Sequence, residues 1–235
     1  MNIKGDFFMT KNNTTEKIKN MTALAVFAAL AYVIHFIHIP VGFLNLDFKD
    51  VVMAIAGMYF GPVSGLALAV LVPLLEYPTS STAEYGLIMN ILSSVSFVVV
   101  ASLIYRFKKT LSGAIIGLVS AVLAMTSVMM VANLFITPFY MGVSRSEVAA
   151  LIPTMLLPFN AIKAILNASL TLCLYKPLTR VLKATGFGKK NSQTVDTDVK
   201  PSPLRSALVW IIGGGVATVS FVIIFTLLGG TIAFN

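Results

Sequence analysis

Charged side chains are scarce in this chain of 235 residues, where they make up 11% of the sequence against 57% hydrophobic residues. The mean hydropathy is +0.89. A composition of this kind lies far outside the range of water-soluble globular domains. It excludes an ordinary soluble enzyme or binding module and predicts an integral membrane protein.

Cysteine, histidine and the common catalytic motifs are also nearly absent. The one cysteine, Cys173, excludes a disulfide framework or a thiolate metal site within the chain. His35 and His38 are three residues apart and would share a face of the first predicted helix, but no carboxylate or thiol lies at a suitable spacing for a metal site. The motifs HExxH, GxSxG and GxxxxGK(S/T) do not occur. We therefore predict no catalytic residues, no bound metal and no ATP hydrolysis by this chain itself.

Long apolar runs fill most of the sequence, and runs of about 17–25 residues can cross a bilayer as helices. They predict helices near 20–40, 50–60, 62–77, 86–106, 111–140, 154–184 and 204–230. Proline favours a helix start and disfavours helix in the residue before it, so Gly61-Pro62 predicts a tight turn between the second and third helices. The predicted fold class is an all-α membrane bundle of six helices with one additional C-terminal transmembrane helix.

Lysine and arginine collect in the segments 4–19, 106–109 and 176–205, whereas the predicted outer loops hold only Lys49 and Arg145. This asymmetry predicts a multi-pass protein of the cell membrane with a cytoplasmic N-terminus. It also explains the net charge of +8 without a nucleic acid partner. The carboxylates Asp47, Asp50 and Glu76 fall in the predicted outer loops.

Four regions follow from these patterns. We predict a cytoplasmic segment 1–19, a six-helix substrate-binding membrane domain 20–184, a flexible cytoplasmic linker 185–203, and a region 204–235 with the additional helix and the C-terminus. The linker is polar and rich in Gly, Ser and Pro, as flexible connections are. The last helix is therefore expected to be loosely attached to a complete six-helix body.

Lys163 lies in the middle of a predicted span, in the run PFNAIKAIL. Counted from a helix start near Thr154 at 1.5 Å per residue, it would lie on the order of 13 Å into the membrane. A lysine there costs roughly 2.5–3.5 kcal/mol, so we expect it to face the bundle interior or a polar cavity. Asn160 and Asn167 share its stripe of the helix. No carboxylate is predicted inside a span as its counter-ion, so a ligand acceptor is the expected partner.

Neighbouring helices carry further polar side chains. Asn133 and Thr137 would share one face of the fifth helix, and the fourth helix holds Asn90, Ser93 and Ser94. These groups can bind a ligand, or they can join helices through hydrogen bonds worth about 0.6 kcal/mol each. The sequence leaves both interpretations open.

Small residues recur at a spacing of four, which permits close approach of helices. Ala25 and Ala29 have this spacing in the first helix, and Gly57, Gly61 and Gly65 have it around the predicted turn. The spacing does not distinguish packing within the chain from a surface for a partner.

The run LNLDFKDVVMAIAGMYFGPVSGLALAVL resembles the first loop and helices 2 and 3 of the substrate-binding S components of energy-coupling factor (ECF) transporters. The runs NLFITPFY and LLPFNAIKAILN are similar to helices 5 and 6 of the riboflavin-specific members. The resemblance covers about residues 18–185. It implies six helices and an outward-facing pocket in which riboflavin, as the transported ligand, lies between the first loop and helices 4–6. No cofactor is implied.

The resemblance also implies roles for individual residues. Asn133, Asn160 and Lys163 would contact the polar edge of the flavin, because carboxamides and an ammonium match its carbonyl and imide groups. The other members of the predicted ligand-binding set are Asn90, Thr137, Asn167 and, in the first loop, Leu44, Leu46, Asp47 and Phe48, of which the three apolar side chains would line the xylene end.

Ala25 and Ala29 would face the transmembrane coupling subunit of the transporter, and two cytoplasmic ATPase subunits would supply the energy. The helix after residue 185 departs from the six-helix pattern. Two alternatives stay open: an S component for thiamine, folate or pantothenate, since the fold does not choose the ligand, and a secondary transporter outside the ECF class. A secondary transporter would ordinarily need an intramembrane carboxylate, and none is predicted.

Overall fold

A computed structural model of the chain describes residues 3–79, 83–184, 203–226 and 233–234. The helices are α1 Ile3–His35, α2 Lys49–Phe60, α3 Pro62–Glu76, α4 Ala83–Phe107, α5 Leu111–Met141, α6 Arg145–Leu151, α7 Leu157–Ala184 and α8 Pro203–Thr226. The strands are β1 Ile37–Val41, β2 Leu44–Asp47 and β3 Ala233–Phe234. A 3-10 turn, Tyr77–Thr79, follows α3, and a π-helical segment, Ile152–Leu156, joins α6 to α7.

The helical membrane fold predicted from the sequence is confirmed. Stretches long and apolar enough to cross a membrane are Thr14–His35, Glu84–Phe107, Leu111–Met141, Arg145–Leu182 and Val209–Thr226. The helix α3 is apolar but shorter, with 15 residues. The chain is therefore a multi-pass membrane protein. Residues 185–202 of the predicted linker, and residues 227–230 of the predicted last helix, lie outside the described residues.

The bundle is built around α2, which packs against α1, α3, α4 and α7. Every residue of α2 from Lys49 to Met58 is buried. A helix that is apolar nearly all round is stable when neighbouring helices surround it, and the run VVMAIAGM has this character. The start of α2 therefore lies inside the protein.

The turn between α2 and α3 forms as predicted. Gly61 adopts a φ of 109°, which disfavours residues with a side chain, and Pro62 occupies the first turn of α3. Gly57 and Gly65 face each other across this turn, since a Cβ added to Gly57 would lie 3.1 Å from the Cα of Gly65. Packing within the chain accounts for these glycines.

The segment after α1 differs from the prediction. The first helix ends at His35 rather than near residue 40, and β1 and β2 then form an antiparallel hairpin that turns at Gly42. Pro40 lies within β1, and proline inside a helix would remove a hydrogen bond and clash with the preceding turn. His38 consequently lies on a strand, so the predicted shared helical face with His35 is wrong.

Candidate functional site

A cavity of about 620 Å³ lies at the end of the bundle where the β1–β2 hairpin meets α4, α5 and α7. The polar side chains that line it are His35, His38, Asn45, Asp47, Asn90, Ser93, Asn133, Thr137, Asn160 and Lys163. Aromatic and aliphatic side chains complete the wall: Phe36, Phe43, Leu44, Tyr85, Met89, Met129, Ile136, Tyr140 and Phe159. A concave site that combines apolar wall residues with convergent polar groups is typical of small-molecule binding.

The helix α7 contributes a carboxamide and an ammonium group to this cavity. Asn160 is 1% exposed and its Nδ2 donates to the carbonyl oxygen of Leu156 at 2.8 Å. Its side-chain carbonyl oxygen can still accept hydrogen bonds. Lys163, one turn further along α7, is 5% exposed and its Nζ lies 3.1 Å from Asp47 Oδ2.

This ion pair corrects one expectation from the sequence, namely that no carboxylate is available to Lys163. Asp47, Asp50 and Glu76 were assigned to solvated outer loops, yet all three are buried, as is Lys49. The hairpin folds over the end of the bundle, and the start of α2, which follows directly, is buried beneath neighbouring elements. Asp47, Lys49 and Asp50 therefore lie inside the protein rather than in an outer loop.

The buried charges form a chain of ion pairs in which acidic and basic side chains alternate. Lys49 is paired with Glu76, and its Nζ also lies 3.8 Å from Asp47 Oδ2, so Asp47 has ammonium groups on two sides. Burial opposes ionisation of Asp47, but the charges of Lys163 and Lys49 outweigh it and hold the pKa of that carboxyl at about 2. Asp47 is therefore placed to pair with Lys163, whose Nζ lies 3.1 Å from its Oδ2.

Asn167, which the sequence predicts as a ligand-binding residue, lies away from the cavity. It is fully buried, its Nδ2 lies 3.5 Å from Asp50 Oδ2, and it does not line the cavity. Ser94 donates to the other oxygen of the same carboxylate at 2.6 Å. The polar stripe of α7 thus divides between the cavity, reached by Asn160 and Lys163, and an internal hydrogen-bond network around Asp50.

The helices α5 and α4 supply the facing polar groups. Asn133 donates to the carbonyl oxygen of Met129 at 2.7 Å and accepts from Thr137 Oγ1 at 2.9 Å, so the two side chains share a face as predicted. Asn90 and Ser93 lie on the α4 side of the cavity. Within the described part of the chain, the buried atoms Ser93 Oγ, His38 Nδ1 and Asp47 Oδ1 have no hydrogen-bond partner.

The hairpin residues divide between two faces. Leu44 and Asp47 line the cavity, as does Phe43, which the sequence did not single out. Leu46 and Phe48 do not line it. Leu46 is fully buried in an apolar cluster with residues of α7 and α8, and the Phe48 ring lies 5.8 Å from that of Phe221 in α8.

Apart from Leu44, the aromatic and aliphatic wall was not predicted. Residues such as Tyr85, Met89 and Phe159 are of the same types that occupy lipid-facing and core positions of membrane helices. The sequence therefore contains no signal that identifies them as cavity residues. Among the residues whose structure is described, no group of three His, Cys, Asp or Glu side chains is arranged to hold a metal ion.

The small-residue face of α1 lies away from the cavity. Ala25 and Ala29 are exposed, whereas Phe27, Ala28 and Ala31 of the same helix are buried in the core. The alanines and the glycines of similar spacing thus differ: the glycines Gly57 and Gly65 pack within the chain, and the alanines are on its surface.

Comparison with known proteins supplies the family context. The model of the family "ECF transporter, substrate-specific component" matches residues 19–175. The riboflavin transporter RibU of Staphylococcus aureus (strain TCH60) is 34% identical over 175 residues, which is 70% of this chain and 93% of that protein. The riboflavin transporter FmnP of Bacillus subtilis (strain 168) is 24% identical over 163 residues, 63% of this chain and 86% of that protein.

A solved structure of the S component of a bacterial ECF transporter is similar to this one in fold. The TM-score is 0.62 at 33% identity, and the alignment covers 71% of this chain and 99% of the solved chain. The matched family region runs from α1 into α7 and ends before α8.

Proposed function

The chain belongs to the family of substrate-specific components of ECF transporters, and on this premise we propose that it binds riboflavin in the cavity under the β1–β2 hairpin and delivers it for uptake. Two relatives named as riboflavin transporters, matched over most of their length, support this ligand. The observation that carries the proposal is a buried ammonium group, Lys163, that lines the cavity and is held by Asp47 beside the carboxamides of Asn133 and Asn160.

The chemistry of this group of side chains fits one edge of a flavin. That edge alternates carbonyl acceptors with an imide N–H donor, and it needs both donors and acceptors in reply. Lys163 donates, and the free carboxamide oxygen of Asn160 accepts. Phe43, Leu44 and Phe159 supply apolar contact for the planar rings.

Hydroxyl groups of the ligand can satisfy the polar atoms that remain. Buried polar groups in proteins nearly always have hydrogen-bond partners, and each one left without a partner has a cost. The residues Ser93, His38 and Asp47 line the cavity. Their buried atoms Ser93 Oγ, His38 Nδ1 and Asp47 Oδ1 have no hydrogen-bond partner in the described structure. The polyol chain of riboflavin carries donors and acceptors suited to these atoms.

The alternatives named from the sequence are separated by titration calorimetry on the full chain in detergent. We expect saturable binding of riboflavin at one molecule per chain and no heat of binding for thiamine, folate or pantothenate. Binding of one of these vitamins without riboflavin would contradict the proposed ligand and keep the family assignment.

A secondary transporter would ordinarily need a carboxylate inside the bundle, and Asp50 of α2 is such a buried carboxylate. The lack of a carboxylate is therefore not an argument against a secondary transporter. The match to the ECF family excludes it instead.

We further propose that the cavity faces outward and the N-terminus is cytoplasmic. The end of the bundle opposite the hairpin holds several basic residues: Arg106 in the last turn of α4, Lys108 and Lys109 between α4 and α5, and Lys176 and Arg180 in the last turns of α7. Positive charge of this kind marks the cytoplasmic side.

The transmembrane coupling subunit would dock on the exposed Ala25 and Ala29. Two cytoplasmic ATPase subunits would drive uptake, since this chain has no phosphate-binding loop.

Two asparagines of α7 provide a matched test of the site. Asn160→Ala is expected to weaken riboflavin binding about tenfold or more, because a buried partner left without its hydrogen bond costs about 1–3 kcal/mol. Asn167→Ala, seven residues away on the same helix, is expected to lower thermal stability through Asp50 while riboflavin affinity stays near that of the unchanged protein. Equal losses of affinity in both variants would contradict the division of the stripe.

A further inference from the structure

The helix α8 lies outside the matched family region, yet it is not loosely attached as the sequence suggested. It packs along α7, and the two helices are in close contact at Gly213, where an added Cβ would lie 2.6 Å from Cys173 Sγ. The two helices can approach this closely because glycine lacks a side chain. This packing differs from the expectation of a loosely attached last helix.

The helix α8 also packs against the β1–β2 hairpin. Ala217 and Ile224 join the apolar cluster that contains Ile39, Val41 and Leu46 of the hairpin. The ring of Phe221 lies 5.8 Å from that of Phe48, which directly follows β2. Apolar side chains of α8 thus cover hairpin residues that do not line the cavity.

The strand β3, beyond α8, pairs with the same hairpin. It lies antiparallel to β1, with Ile37 opposite Phe234 and His38 opposite Ala233, which gives a sheet in the order β2-β1-β3. The strand β1 would otherwise be an edge strand with unpaired backbone groups. An isolated two-stranded hairpin is marginally stable, so a third strand and a packed helix matter to its position.

The hairpin supported in this way carries part of the ligand cavity. Leu44, Asp47 and His38 line the cavity from β1 and β2. We propose that α8 and β3 are a positioning element for the binding site, which holds the hairpin over the bound ligand and slows its release. Phe221 is the positioning residue that acts through Phe48. This inference rests on the proposed function and adds an element that the matched family region does not contain.

The test compares two phenylalanines of α8 in the full chain. Phe221→Ala is expected to release riboflavin about tenfold faster, the change that about 1.4 kcal/mol of lost packing produces. Phe225→Ala removes the same ring one turn further on, where the side chain is 39% exposed, and is expected to leave release unchanged. Release is measured by the recovery of flavin fluorescence after dilution or displacement, and association is measured separately.

A cross-link provides the rescue that a purely structural role would not show. Ile37→Cys and Phe234→Cys are placed on Cα partners of an antiparallel pair, whose usual separation of about 4.5–5.5 Å suits a disulfide. In a Phe221→Ala chain that also carries Cys173→Ala, oxidation is expected to restore slow release and reduction to reverse it.

Three outcomes decide the matter. Faster release from Phe221→Ala, reversed by the cross-link, supports the proposal. Unchanged release from Phe221→Ala, or from Phe221→Leu should the alanine variant aggregate, contradicts the positioning role and leaves riboflavin binding intact. Absence of riboflavin binding by the unchanged chain contradicts the proposed function itself.

Discussion

Lys163→Met is expected to weaken riboflavin binding by at least about 100-fold, since an unpaired buried acceptor costs about 1–3 kcal/mol and more when its lost donor was charged. Methionine has nearly the shape of lysine but donates no hydrogen bond. The substitution also leaves Asp47 as a buried anion whose remaining ammonium neighbour, Lys49, lies 3.8 Å away and is shared with Glu76. Calorimetry and thermal unfolding in detergent measure the two effects.

A double variant separates recognition of the ligand from stability. Breaking a buried ion pair by removing one partner costs about 3–5 kcal/mol, whereas replacing both partners is often neutral. Lys163→Met with Asp47→Asn is therefore expected to regain much of the lost thermal stability but none of the lost affinity. Riboflavin affinity near that of the unchanged protein, in either variant, would assign Lys163 to stability alone.

Ala25→Trp with Ala29→Trp is expected to stop riboflavin uptake in cells that also produce the coupling and ATPase subunits. Bulky side chains on this exposed face prevent the close approach of helices that small residues permit. The cavity lies elsewhere in the bundle, so the purified double variant is expected to bind riboflavin as the unchanged protein does.

The control for this experiment lies on the same helix. Val26 and Leu30 are 61% and 42% exposed and are also four residues apart, but they are displaced by one residue, about 100° around the helix, from Ala25 and Ala29. Val26→Trp with Leu30→Trp is expected to bind and to transport. Loss of riboflavin binding in the alanine variant would place Ala25 and Ala29 in the internal packing of the bundle, and uptake by that variant would remove them from the partner surface.

The helices and the turn at Gly61-Pro62 could be predicted because apolar runs, proline and glycine act locally on the backbone. The same is true of the face shared by Asn133 and Thr137, which follows from helical spacing. Lys163 could be identified as a functional candidate because an unpaired cation inside a membrane span has a high free-energy cost.

The hairpin and the buried charges could not be read from the sequence in the same way. Asp47, Lys49 and Glu76 look like solvated loop residues until the hairpin is seen to fold over the end of the bundle. Their pairing joins residues 27 positions apart in the chain, from Lys49 to Glu76, and 116 positions apart, from Asp47 to Lys163. Long-range pairs of this kind depend on tertiary packing, as does the contact between Phe48 and Phe221.

The absorption spectrum of the full protein decides whether this chain is a riboflavin-binding S component. Protein purified in detergent is incubated with riboflavin and freed of unbound ligand on a desalting column. We expect the visible bands of a flavin to travel with the protein, at one flavin per chain, and to disappear in Lys163→Met. A folded, monodisperse protein that emerges colourless after this treatment would show that the chain does not bind riboflavin.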